Sequence, residues 1–381
     1  MKNYGIKIIL AIIFFVISLF LSNDLGVIKI EKTAIITAIA IDQENDDIKI
    51  SAQIALPQAV DIKTNADSIV VGYGKTIGLA IDNIAVKTGW YPKLSFCNLV
   101  IVNQDIGDKL LPEIINYVLY SKKIYDNILI CYAEKKADDI LKATGTLDNI
   151  ASFSLQKILL KNADNANAVY FSRVKDIAIN LTGESKQSLI PLIKLETDDF
   201  TQKTETGESK NTAVFNATTT ILLNNGKTVG KFNKEQTLFY NLIVKGVKEI
   251  YFEVPLTENS TALLKVINSK RKIKIYPQGE LAKLKIDLSL NVYLIDIKSS
   301  QIFESGGTNV VPTDILQKAD KKVREQIENL VDISKTTSCD FFEIKDNLFR
   351  FYPKFYSANK NFDISNTLVE VNVSIKPLDK N

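Results

Sequence analysis

The segment TAIITAIAIDQENDDIKISAQIAL, residues 33–56, decides how the rest of the chain is read. It opens apolar and β-branched, passes through the turn-forming run Gln43-Glu44-Asn45-Asp46-Asp47, and then alternates apolar and polar residues up to Pro57. Two such runs about a short polar turn predict an antiparallel hairpin, not a helix. A hairpin needs a cover for its apolar face, and the next segments supply one. In KTIGLAIDNIAVKTGW, Ile77, Ala80, Ile81, Ile84 and Ala85 recur at helical spacing, with Thr76 placed as N-cap and Gly89 as the stop. FCNLVIV (96–102) and NILICYA (127–133) read as buried strands. Between them DKLLPEIINYVLYSK (108–122) reads as an amphipathic helix with Pro112 in its first turn, where proline is tolerated. A hairpin followed by strands with helices between them predicts a mixed α+β domain over residues 28–134.

Residues 135–200 read as a middle subdomain, mostly helical or mixed, with KKADDILKA and IASFSLQKILLKNA as helices. ETDDFTQKTETGESKN (196–211) has no long aliphatic residue and reads as an exposed linker or a hairpin tip. Residues 211–379 form a second α+β domain. TAVFNATTTILL and KTVGKF flank the turn Asn224-Asn225-Gly226, and EIYFEV, ALLKVINSKRKIKIY and LAKLKIDLSLNVYLI follow as strands. Ile315, Ala319, Val323, Ile327 and Leu330 make one stripe of a helix over 312–334, with Lys321, Lys322, Arg324 and Glu325 facing out. FEIKDNLFRFY reads as a shorter helix closed by Pro353, and TLVEVNVSIKP as a last strand. The fold class is α+β and multi-domain, with mixed or antiparallel sheets packed with helices.

An apolar segment precedes these domains. Lys2 and Lys7 lead an uncharged run, Ile8 to Leu21, that ends at Asn23-Asp24. The run is long for a signal core and short of the roughly 20 residues of a usual span. The lysines before it and Asp24 after it place the bulk of the chain outside the cytoplasm, so residues 1–24 read as an export signal or membrane anchor.

Of the 381 residues 46% are hydrophobic and 24% charged, and the net charge of +3 is too balanced to argue for nucleic acid as a partner. Histidine is absent, which removes the usual general base, the Ser-His and Cys-His pairs and the commonest zinc ligand. Cys97, Cys131 and Cys339 are odd in number, and the first two sit in apolar strands as buried free thiols. GYGKT (72–76) lacks the upstream glycine of a phosphate loop, Ile69 standing there, so its glycines read as a turn before a capped helix. Asp46-Asp47, Asp138-Asp139 and Asp198-Asp199 read as solvated acids. The sequence therefore nominates no catalytic, cofactor-binding or metal-binding residue and no cofactor. One basic pattern stands out: Lys272 and Lys274, then Lys283 and Lys285, alternate with aliphatics. On strands this turns the cations to one face, either simply solvated or aimed at anionic lipid or an acidic partner.

The ordered series TAIITAIAID, GKTIGLAIDNIAVKTG, LSFCNLVIVNQDIG, YDNILICYAEKKADDIL, PLIKLE, SKRKIKIYPQGELAKLKI and CDFFEIKDNLFRFYPKFY resembles the C subunits of spore germinant receptors. The resemblance runs from about residue 30 to the end. It implies a lipoprotein on the outer face of the spore inner membrane, assembled with a membrane A subunit and a transporter-like B subunit that senses nutrients, and not known as an enzyme. A stand-alone exported ligand-binding protein is the alternative. The sequence departs from the family pattern twice. The lipid-bearing cysteine would fall at about Asp24, and no cysteine precedes Cys97, so the apolar run is expected to stay as an uncleaved anchor. The family's FGFG-like stretch reads Asp340-Phe341-Phe342-Glu343.

Overall fold

The computed structural model describes residues 5, 7–9, 11–15, 33–55, 67–143, 150–164, 168–203, 209–246, 249–298, 311–360 and 362–378. Half of the apolar run at 8–21, and Asp24 with it, lies outside the described residues. Residues 8, 9 and 11–15 are helical and exposed. Among the described residues no helix is long and apolar enough to cross a membrane.

The opening hairpin forms as the pattern requires. Strands β1 (Thr33–Glu44) and β2 (Asp47–Ala55) pair antiparallel, with Glu44 opposite Asp47. The two turn residues, Asn45 and Asp46, both adopt positive φ (49° and 64°), the backbone twist that a two-residue hairpin favours. Strand β3 (Asp67–Gly74) adds to β2 and leads into helix α1 (Ile77–Thr88). Thr76 accepts a hydrogen bond from the Leu79 amide, and Gly89 closes the helix at φ 69°, as expected. Gly72 and Gly74 do not make a turn; they belong to β3. A Cβ on Gly72 would stand 2.0 Å from the Ala80 carbonyl oxygen, and one on Gly74 2.6 Å from the Ala80 nitrogen. Their role is to let the backbone of α1 lie directly on the strand.

Next come β4 (Tyr91–Lys93), β5 (Leu99–Asn103), α2 (Gln104–Ser121), β6 (Leu129–Ala133), α3 (Ala137–Lys142), α4 (Ala151–Asp164), β7 (Ser172–Arg173) and α5 (Val174–Thr182). Helix α2 starts earlier than expected because the Asn103 side chain caps it through the Asp105 amide. Pro112 is therefore inside the helix rather than in its first turn, on the exposed face where water can satisfy the carbonyl it frees. Strands β8 (Gln187–Lys203), β9 (Ser209–Asn224) and β10 (Lys227–Phe232) complete the first sheet. Its order is β10-β9-β8-β6-β5-β1-β2-β3, with β4 beside β1 and β7 beside β6. The centre, β8-β6-β5-β1, is parallel, and both flanks are antiparallel. Of the stretch 196–211, residues 196–203 belong to β8 and 209–211 to β9, and the pairing of Lys203 with Ser209 fits the hairpin-tip reading and not the linker. Helices α1, α2 and α5 cover one face of this sheet, and α3 and α4 the other.

The second sheet is β11 (Ile250–Thr257), β12 (Ser260–Gln278), β13 (Leu281–Lys298) and β14 (Leu368–Pro377), in that order. β14 runs parallel to β13 and the other pairs are antiparallel. Helix α7 (Thr313–Thr337) packs on its inner face, and all five residues of the expected stripe are fully buried. Two of the four charges expected to face out do not. Lys322 pairs with Glu235 at 2.6 Å, and Arg324 donates to the Val371 carbonyl at 2.6 Å, tying α7 to the edge strand β14. Helix α6 (Lys234–Tyr240) and the turn Asn241–Lys245 bring Leu189 and Leu222 of the first sheet into this second core. Two short helices follow α7: α8 (Ile344–Phe351) and α9 (Pro353–Ala358), so Pro353 ends one helix and opens the next. The fold is α+β with mixed sheets packed with helices.

Candidate interaction surface

The acidic pairs part company in the fold. Asp47 is a surface partner of Lys75 at 2.9 Å, whereas Asp138 is buried and not solvated. Asp138 accepts from Lys49 at 2.9 Å and from Lys142 at 2.7 Å. Burial works against its charge, yet the two lysines hold its carboxyl below the ordinary value. Asp42 of β1 accepts from the amides of Ala137 and Asp138, satisfying the start of α3, so these acids join sheet to helix. The side chains of Asp198 and Asp199 lie outside the described residues. All three cysteines are buried and free, and burial pushes Cys97 and Cys339 up to about 12 and raises Cys131 as well. Among the described residues no cluster of acids, thiols or imidazoles could hold a metal.

The basic strands face outward together. On β12 and β13, Ile275, Leu284 and Ile286 turn into the core, and Lys272, Lys274, Lys283 and Lys285 turn away from it. The register sets Lys274 opposite Lys285, and Lys285 beside Glu370 of β14. Glu370 takes Lys283 at 2.6 Å and also Lys285, and these contacts hold its carboxyl down at about 2. Two of the four expected cations are thus committed to pinning the edge strand, leaving Lys272 and Lys274 without an ion pair among the described residues. A concavity of about 320 Å³ lies between Lys270, Lys272, Asp287, Ser289 and Asn372. A second, of about 440 Å³, lies at the entry to β5 and β6 and is lined by Phe96, Asn98, Tyr125, Gln156 and Arg173.

The altered stretch Asp340-Phe341-Phe342-Glu343 builds a third feature. Phe341 is fully buried and stacks edge-on to Phe232 (5.1 Å between ring centres) and Tyr240 (5.6 Å). Asp340, 1% exposed, accepts from the amides of Ile344 (2.9 Å) and Lys345 (2.8 Å), capping α8, and from the Ser185 hydroxyl (2.8 Å). Burial pushes its carboxyl up to about 6 despite these donors. One turn on, Asp346 accepts from the amides of Glu184 and Ser185 at 3.0 and 3.2 Å. A Cβ on Gly183 would stand 2.8 Å from the Asp346 carboxylate, so a larger residue there would displace that side chain. Glu343 sits at φ 59°, left-handed backbone that a glycine would take without strain. This latch, between residues about 160 apart in sequence, presents Phe349, Arg350, Phe351, Tyr352 and Lys354 to solvent at the corner between α8 and α9. Sequence reasoning placed the helix but missed the corner. The signal available was its aromatic density, since Leu348 alone is buried between Asn347 and Lys354.

Two helix-covered mixed sheets joined through α6 and α7 define an α+β protein. Residues 27–195 match the family described as the spore germination protein N-terminal domain, and residues 218–377 the family described as spore germination B3/GerAC-like, C-terminal. The chain belongs to this family, the C subunits of germinant receptors. A solved structure, described as the crystal structure of the GerBC protein, shares the fold at a TM-score of 0.54 and 15% identity, over 90% of this chain and 97% of that one. No curated protein matches the sequence closely.

Proposed function

We propose that this protein is a non-catalytic, extracytoplasmic subunit of a nutrient germinant receptor, acting with membrane A and B subunits to trigger spore germination. The observation that carries the reading is the pair of family domains, present in order and together spanning residues 27 to 377 with one interruption at 196–217. The apolar run at 8–21 holds the chain at the outer face of the membrane, and no acylation is needed because Asp24 stands where the lipid-bearing cysteine would. The exposed faces do the work: the outer face of the second sheet, where Lys272 and Lys274 make no ion pair among the described residues, and the aromatic corner offer surfaces to partners or lipid. The test is capture of the tagged, full-length protein from detergent-solubilised spore membranes. Recovery of two multi-span proteins, one of them transporter-like, is expected. Recovery of the protein alone, under conditions that preserve other membrane complexes, would count against the assembly.

A further inference from the structure

We propose that the corner between α8 and α9 is a membrane-contact site that inserts aromatic rings into the headgroup region of an anionic bilayer. This rests on the reading that the chain works at a membrane surface. Residues 347–360, NLFRFYPKFYSANK, hold five aromatics and three cations and no acid. Phe349, Phe351 and Tyr352 are 50%, 68% and 37% exposed, with Arg350 and Lys354 exposed beside them. Single exposed apolar residues are ordinary, but three rings within four residues form a patch that soluble surfaces avoid.

The corner is also held rigidly. Ile344 and Leu348 are buried beneath it, and Asp340 and Asp346 fasten α8 to Ser185 and its neighbours. The Tyr356 hydroxyl donates to Glu184 at 2.7 Å while its ring meets Phe349 edge-on at 5.7 Å. The rings therefore project from a fixed scaffold, Phe351 the furthest and Phe349 and Tyr352 partly sheltered by it.

The alternation Phe-Arg-Phe-Tyr-Pro-Lys selects the occupant. Rings favour the interface between tails and headgroups, and the long cationic side chains beside them reach the phosphates. Neither Arg350 nor Lys354 makes an ion pair among the described residues, so their charge is available to an anionic surface.

The test uses the full-length chain with its single tryptophan removed (Trp90→Phe) and a reporter introduced as Phe351→Trp. Tyr120→Trp in the same background is the comparison, since Tyr120 is 80% exposed on α2. Each is mixed with vesicles of phosphatidylcholine, with or without phosphatidylglycerol, carrying brominated acyl chains. Rings seated about 5–10 Å into the boundary predict quenching at position 351 at least about twofold that at position 120, stronger with the anionic lipid. In the Phe351→Trp protein, replacing Phe349 and Tyr352 by serine, with the circular dichroism spectrum unchanged, should reduce quenching at position 351, whereas flotation sustained by the apolar run should persist. Flotation without quenching at 351 overturns this inference and leaves membrane tethering in place, whereas no flotation with any vesicle overturns both. Shielding of position 351 only when other receptor subunits are present would make the corner a protein contact and overturn the lipid assignment.

Discussion

Replacing Asp340 by asparagine isolates the charge buried at the base of the aromatic corner. The carboxyl titrates at about 6 in the folded protein against an ordinary value of 3.8, because burial disfavours its charged form more than its three hydrogen bonds favour it. Between those two values the native state holds a proton that the unfolded chain has released, so this group's contribution to stability falls as pH rises through that window. A difference of that size corresponds to about 3 kcal/mol, disfavouring the fold above pH 6 and vanishing below pH 3.8. Asparagine keeps one carbonyl acceptor for the Ile344 amide and carries no charge, but its amide nitrogen cannot accept from the Lys345 amide or the Ser185 hydroxyl. Relative to the wild type, Asp340→Asn should therefore gain about 3 kcal/mol between pH 4 and pH 7.5, on top of a pH-independent cost for the acceptor it loses. The assay is urea unfolding of both proteins, followed by far-ultraviolet circular dichroism at several pH values. Titrations elsewhere in the chain cancel in the difference. Parallel stability curves, or an advantage for asparagine that grows on acidification, would refute the reasoning.

Further predictions concern the scaffold. Gly72→Ala drives a methyl into the Ala80 carbonyl and should lower stability by about 3 kcal/mol in urea unfolding, whereas a phosphate-loop or turn role would leave stability near normal. Glu343→Gly relieves left-handed backbone and should raise stability by about 1 kcal/mol, read from the same unfolding midpoint. Replacing Lys283 and Lys285 together by alanine should let the Glu370 carboxyl rise from about 2 toward its ordinary value of 4.5, followed by side-chain NMR titration; an unchanged Glu370 would show that the lysines do not hold it.

What the sequence revealed was what repeats locally. The α7 stripe, a turn within residues 43–47, the Asn-Gly turn at 224–226, and the Thr76 and Gly89 caps all rest on neighbours within a turn or two, and all are found as expected. What it hid was non-local. Nothing in TLVEVNVSIKP announces a parallel return beside β13, and nothing in 209–232 announces that these strands close the first sheet. Asp138 reads as a surface acid until β1 and β2 bring Asp42 and Lys49 to it from about 90 residues away. Gly72 reads as a turn because a glycine required by a helix lying on a strand has no local pattern. The aromatic corner was hidden differently: its residues were in view, but a helical period does not say that Phe349 and Phe351 stay outside while Leu348 goes in.

The central claim, that this chain is a working subunit of a nutrient receptor, is tested most directly in spores. Deleting its gene in a strain without paralogous receptors, then measuring dipicolinate release after nutrient addition, should show normal sporulation and a lost or strongly slowed response. Germination by a route that bypasses the receptors should continue, and the full-length gene should restore the nutrient response. A normal response of the deleted strain to every nutrient would contradict the account.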